Sequence, residues 1–197
     1  RQTHFLPRPE KPFKSAFKRL GQLFGELRKN KKAFLFLLAF FFYIDGVYTI
    51  IDMATKFGSA LGLEMPSLLI ALLVTQIVAF PSAIAFGVLT KKVSDAKLIA
   101  VCIAAYTFVG FFAVFLYHEW QFWVLAVMVG LFQGGIQALS RSYFAKLVPA
   151  EKSGEYFGVY DIFGKGAAFL GTLLFGVTTD IALACGAGDG LALHLSI

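Results

Sequence analysis

The chain of 197 residues is 58% hydrophobic and only 15% charged, with a formal net charge of +6 and a mean hydropathy of +0.72. Soluble domains carry about 25% charged residues, so the balance excludes a soluble globular protein and points to an integral membrane protein. The two cysteines, Cys102 in an apolar run and Cys185 near the end, have neither metal-ligand spacing nor a disulfide framework and read as inert packing residues.

Residues 1–32 carry ten Lys and Arg against Glu10 and Glu26. The chain opens on Arg1, like an internal fragment, and no cleavable signal peptide precedes the first apolar run at Ala33. Pro7, Pro9 and Pro12 keep the start extended, after which Phe13, Phe17, Leu20, Phe24 and Leu27 recur at helical spacing with cations between them. Such a basic amphipathic helix directly before a span is expected to lie on anionic lipid headgroups over residues 13–28, in preference to binding nucleic acid.

The first span is predicted over residues 33–53. Asp45, Tyr48, Thr49 and Asp52 fall on one face of its second half, and Gly46 weakens the helix beside Asp45. Asp52 is expected at the outer interface in water, whereas Asp45 lies deeper and either faces a cavity or bonds a neighbouring helix. A loop from Ala54 to Pro66 leads to a second span over residues 67–89 with Thr75, Gln76, Pro81 and Ser82, kinked at Pro81. A basic turn from Thr90 to Lys97 opens a third span, residues 97–117. This span has no Asp, Glu, Lys, Arg or His between Lys97 and His118, and so is placed toward lipid.

The fourth span, residues 120–140, opens with the interfacial aromatics Trp120 and Trp123. Gly130, Gln133, Gly134, Gln137 and Arg141 share one of its faces, where the two amides either bridge helices or meet a ligand and Arg141 reaches toward water. A polar turn from Pro149 to Glu155 leads to the fifth span, residues 156–176. A rotation of about 100° per residue gathers Gly154, Gly158, Asp161, Lys165, Ala168, Thr172 and Gly176 on one side of that helix. Each mid-helix charge costs about 2.5–3.5 kcal/mol to insert, while each Phe, Leu, Ile or Val returns about 0.3–0.6. The helix is therefore a poor lipid-facing span and a good cavity lining. Asp161 and Lys165 stand in the order that favours a pair four residues apart, which is either scaffolding or a pair opened by a charged solute. Residues 181–197 hold three glycines, Asp189 and His194, and read as a truncated or divergent last helix.

Sixteen cations flank the spans on one side of the predicted topology and only Lys56 on the other, leaving Lys165 inside span five. The positive-inside rule then makes the N-terminus and the turns after spans two and four cytoplasmic. The fold expected is an all-α polytopic membrane helix bundle of five clear spans.

The runs Phe41–Ala54 (FFYIDGVYTIIDMA) and Gly134–Gly176, with a YxDG pair, a GGxQALSRS segment and a later FGxYxxxGK segment in that order, resemble the second half of a major facilitator superfamily transporter. The branch they resemble is that of unidentified major facilitators similar to vacuolar amino-acid effluxers. The likeness covers roughly residues 34–180. It implies the C-terminal six-helix half of a twelve-helix fold, with a missing N-terminal six-helix half as partner and the substrate path between the halves. Thr172 stands where a proline is expected, and the turn from Gly87 to Lys97 lacks the aspartate of the GxxxD[RK] gating turn.

The function expected is part of a secondary active transporter in a bacterial inner membrane, moving a small polar solute such as an amino acid by alternating access, with protons as a candidate coupling ion. The alternative is a non-transporting assembly partner or remnant of a split gene. Candidate pathway residues are Asp45, Tyr48, Gln76, Gln133, Gln137, Asp161 and Lys165, with Lys91, Lys92 and Arg141 as a cytoplasmic gate. No HExxH, GxSxG or phosphate-loop motif is present, so no enzyme, cofactor or metal is expected.

Overall fold

The computed structural model describes residues 12–184. It contains six α-helices: α1 (Pro12–Lys29), α2 (Lys31–Ala60), α3 (Met65–Leu89), α4 (Asp95–Val114), α5 (Glu119–Leu147) and α6 (Ser153–Ala184), with a single 3-10 turn at Ala150–Lys152 before α6. Helices α2 to α6 are each long and apolar enough to cross a membrane. The residues predicted as a divergent tail beyond Ala184 lie outside the described part.

The helix ends follow local chemistry. The predicted loop from Ala54 is instead helical to Ala60, because the feature that turns the chain is Gly62, whose φ of 86° is open to glycine. Gly62 and Leu63 then donate their backbone N–H groups to the carbonyls of Ser59 and Gly58. Pro66 sits in the first turn of α3, where no intrahelical donor is lost. At the start of α5, Gln121 Oε1 accepts from the backbone N–H groups of Tyr117 and His118 at 2.8 and 2.9 Å, satisfying donors that the helix leaves open. Pro81 lies within α3, which continues past it to Leu89.

Two helix pairs, α3 with α5 and α2 with α6, form the body, and α4 packs on α5. Small residues set the spacing of the first pair. A Cβ added at Gly130 would lie 2.7 Å from the Thr75 carbonyl, and one at Gly134 would collide with the Ala79 carbonyl. Hydroxyls join the same pair: Thr75 donates to the carbonyl of Ala71 at 2.9 Å and faces that of Ala126 at 3.2 Å, while Ser82 donates to the Leu131 carbonyl. Small residues with hydroxyl bonds are the means by which helices associate when water no longer drives burial.

One buried cluster gathers Leu37, Phe40 and Ile44 of α2 with Ile136, Leu139 and Phe144 of α5 and Val159 and Tyr160 of α6. A second gathers Leu68 and Ala71 of α3 with Val109 of α4, Leu116 of the turn that follows it, and Phe122 and Leu125 of α5. The outward faces are apolar too: Ile77 and Phe80 are 70% and 72% exposed, and Phe111 and Phe169 each 66%. Such a belt is a liability in water and the ordinary condition of a helix facing lipid. Cys102 is fully buried on α4.

Helix α1 docks on the bundle. Leu23 and Leu27 are buried against it, and Phe24 stacks on Phe163 at 6.2 Å. The C-terminal half of the apolar stripe predicted to face lipid is thus covered largely by protein; the side chains of Phe13 and Phe17 lie outside the described part. Polar contacts tie α1 and the residue that follows it to the end of α5, the 3-10 turn and the start of α6. Arg19 pairs with Glu155, Glu26 accepts from Lys152 at 3.1 Å and from the Tyr156 hydroxyl at 2.9 Å, and Asn30 donates to the Leu147 carbonyl at 2.9 Å. The Lys152 and Tyr156 donors hold the Glu26 carboxyl below its ordinary range.

Candidate functional site

A cavity of about 260 Å³ opens between α2, α5 and α6. Phe40, Ile44 and Tyr48 line it from α2, Gln137 and Arg141 from α5, and Tyr160, Asp161, Gly164, Lys165 and Ala168 from α6. The spacing explains the grouping: Gln137 and Arg141 are four residues apart on α5, as are Asp161, Lys165 and their neighbours on α6, so each helix presents one polar stripe inward. Gly164 faces the Phe40 ring, with room for a Cβ at an ordinary contact distance of 3.5 Å. That ring in turn stacks on Tyr160 with centroids 4.2 Å apart.

Within the cavity, Asp161 Oδ1 pairs with Arg141 at 3.3 Å, and the Arg141 guanidinium lies 5.9 Å from the centre of the Tyr160 ring. The predicted Asp161 to Lys165 pair is therefore replaced by one between helices. Arg141 keeps a side chain that is 61% exposed and also meets Asp161 across the α5–α6 gap through one contact. No ion pair to Lys165 occurs among the described residues. Two cations and one carboxylate leave the cavity with an excess of positive charge.

Five of the predicted residues thus converge: Tyr48, Gln137, Arg141, Asp161 and Lys165. The others do not join them. Gln76 is exposed on α3. Gln133 lies one turn from Gln137, with a buried Oε1 that has no hydrogen-bond partner among the described residues. Lys91 and Lys92 are exposed in the α3–α4 turn and do not line the cavity that Arg141 lines. Asp45 lines a different space, an apolar groove of about 680 Å³ between α2, α4 and α6.

The residues missed from sequence are mainly aromatic or at the basic end. Tyr160 lies within the FGxYxxxGK segment but reads as an ordinary core aromatic. At the α3–α4 turn, Asp95 is buried and accepts from Lys146 Nζ at 2.6 Å, tying α4 to the end of α5. An acid in the first turn of one helix and a cation in the last turn of the next was the available signal.

Five long apolar helices, three of them lining an open charged cavity, define a polytopic membrane protein of the helical-bundle class. The chain belongs to the family described as vacuole effluxer Atg22 like, which matches residues 1–183. It is 48% identical over 180 residues to an uncharacterized MFS-type transporter, YxiO, of Bacillus subtilis, covering 91% of this chain and 42% of that protein. It is also similar to autophagy-related protein 22 of Saccharomyces cerevisiae, at 33% identity over 174 residues, and of Yarrowia lipolytica, at 30% over 177 residues. Those matches cover 82% and 83% of this chain and 33% and 30% of the two relatives. The chain therefore spans less than half the length of these relatives. No solved structure matches it.

Proposed function

We propose that this chain supplies one half of a secondary transporter of the major facilitator type, and that the cavity between α2, α5 and α6 is its contribution to the solute site. The observation that carries the reading is the convergence of Arg141, Asp161, Lys165, Gln137 and Tyr48 on one space. Charges inside a membrane bundle are costly and mark solute or ion paths. At about 30 Å³ per water, the cavity has room for on the order of nine heavy atoms, the size of a small amino acid. Lys165 is placed to receive a carboxylate, while Asp161, held by Arg141, is placed to receive an ammonium group. Autophagy-related protein 22 belongs to relatives described as vacuole effluxers, and amino acids are the solutes we assign.

Transport by alternating access requires a second half, since the solute path of such proteins runs between two repeats. That half, an N-terminus on the cytoplasmic side of a bacterial inner membrane, and contact of the basic α1 segment with anionic lipid belong to the same proposal. The test is uptake by the full-length protein in proteoliposomes, with pooled labelled amino acids inside or outside. Saturable exchange that Lys165→Gln weakens at least tenfold supports the reading. Exchange absent for every amino acid, or unaffected by Lys165→Gln, contradicts it.

A further inference from the structure

The groove between α2, α4 and α6 contains a carboxyl group that the solute cavity does not use. Asp45 lies on α2 facing α6, and its Oδ1 is buried against the backbone at Gly171 without a hydrogen bond of ordinary geometry. Thr49, one turn along α2, crowds the same point, so that a Cβ at Gly171 would collide with both Thr49 Oγ1 and Asp45 Oδ1. The surrounding groove is apolar. Its lining includes no Lys, Arg, His or second carboxylate among the described residues. The titratable groups facing Asp45 there are Tyr43 of α2 and Tyr106 of α4. The first lies 2.6 Å from Ser140 Oγ, and since that hydroxyl donates to the Ile136 carbonyl, Tyr43 donates to Ser140. The second points its hydroxyl at the Val129 carbonyl, 3.5 Å away. From α6, Gly171, Leu174 and Thr178 present no charge.

Asp45 faces no cation in the groove, and its Oδ1 has no hydrogen-bond partner among the described residues; a carboxyl so placed is able to take up and release a proton. We propose that Asp45 is a proton-binding site, separate from the solute cavity, and that its proton is the coupling ion. The proton adds to the carboxylate and leaves it again, with no other bond changed. In the neutral form the carboxyl brings no charge to the point where Thr49 and Gly171 crowd it, and α2 and α6 can cross closely there. Loss of the proton creates a charge at that crossing, which is relieved when the two helices part and admit water. Because α2 and α6 also wall the solute cavity through Tyr48, Asp161 and Lys165, the protonation state of Asp45 biases the shape of the solute site. The coupling role rests on the transport reading; proton binding at Asp45 does not.

The two parts are tested separately on the full-length protein in lipid. Infrared difference spectra between alkaline and acidic pH report the carboxyl stretch of a neutral acid. The expected result is a band in the wild type that is lost in Asp45→Asn and shifted in Asp45→Glu. A spectrum identical in wild type and Asp45→Asn overturns the site, whether or not the protein transports. Solute counterflow, which needs no proton gradient, and accumulation driven by a pH gradient are then compared. Asp45→Asn is expected to retain counterflow within about threefold and to lose gradient-driven accumulation at least tenfold, with partial recovery in Asp45→Glu. Undiminished gradient-driven accumulation in Asp45→Asn overturns the coupling role. A wild type without counterflow would instead refute the transport reading and leave the infrared result to decide the proton site.

Discussion

Asp95 and Lys146 give the sharpest stability prediction. The Asp95 side chain is only 6% exposed, whereas that of Lys146 is 61% exposed, and the two meet at 2.6 Å. Removing one partner of a fully buried ion pair costs about 3–5 kcal/mol, while a hydrogen bond to a charged group contributes about 1.5–3 kcal/mol. The water around Lys146 screens the pair, so the lower range applies. Lys146→Met keeps the apolar stem and deletes the charge, leaving the Asp95 carboxylate buried without its cation. Opening of α4 should then become about one to two orders of magnitude more favourable, since each 1.4 kcal/mol is tenfold. Cys102, fully buried on the same helix, is the reporter: in a Cys185→Ser background its reaction with a thiol reagent measures the open fraction. Asp95→Asn combined with Lys146→Met should recover part of the loss. Labelling of the Lys146→Met protein within twofold of the parent, or a coupling below about 0.5 kcal/mol in the double-mutant cycle, would refute the reasoning.

The link between α1 and α6 should depend on pH. The carboxyl of Glu26 is lowered by its Lys152 and Tyr156 partners, so its contribution is complete above the ordinary glutamate range and disappears as pH falls through the lowered folded value. Spin labels on α1 and α6 should report separation only on the acid side, and Glu26→Gln should abolish that transition. For topology, cysteines at Lys92 and Lys152 should be shielded from an impermeant reagent outside intact cells, whereas one at Glu119 should react. Labelling at Lys152 would reverse the orientation. The spacing of α3 and α5 makes a third case, because Gly134→Leu would drive a side chain into the Ala79 carbonyl; loss of folded protein on size-exclusion chromatography is expected, and normal yield would contradict that packing.

The spans were legible because a bilayer demands long apolar runs and punishes charge within them. Lys165 and Asp161 drew attention for that reason, and the helical period assigned them to one face together with Ala168. The same period brought Gln137 and Arg141 together on α5. Periodicity speaks only of one helix at a time, however. It offered Lys165 as the partner of Asp161, whereas the structure chose Arg141, twenty residues away on the neighbouring helix. It also grouped Asp45 with Tyr48, although a single helix presents them to different spaces: Tyr48 to the charged cavity and Asp45 to the apolar groove. Gln76 does not line the cavity for a related reason, since a polar residue within a span shows that it needs a partner but not which side of the bundle supplies one. The docking of α1 on the bundle was not legible, because a basic amphipathic pattern fits a headgroup layer and a bundle end alike. Glu26, Lys152 and Tyr156, whose contacts hold α1 on the bundle, are far apart in sequence.

The claim that the cavity between α2, α5 and α6 is the solute site is tested most directly by substrate protection. Single cysteines at Gln137, inside the cavity, and at Gln76, outside it, are introduced into the full-length protein and exposed to a permeant maleimide with and without the transported solute. Saturating solute should slow labelling at Gln137→Cys several-fold, with the same concentration dependence as transport, and leave Gln76→Cys unchanged. Protection at Gln76→Cys without protection at Gln137→Cys would place the site elsewhere and contradict the account.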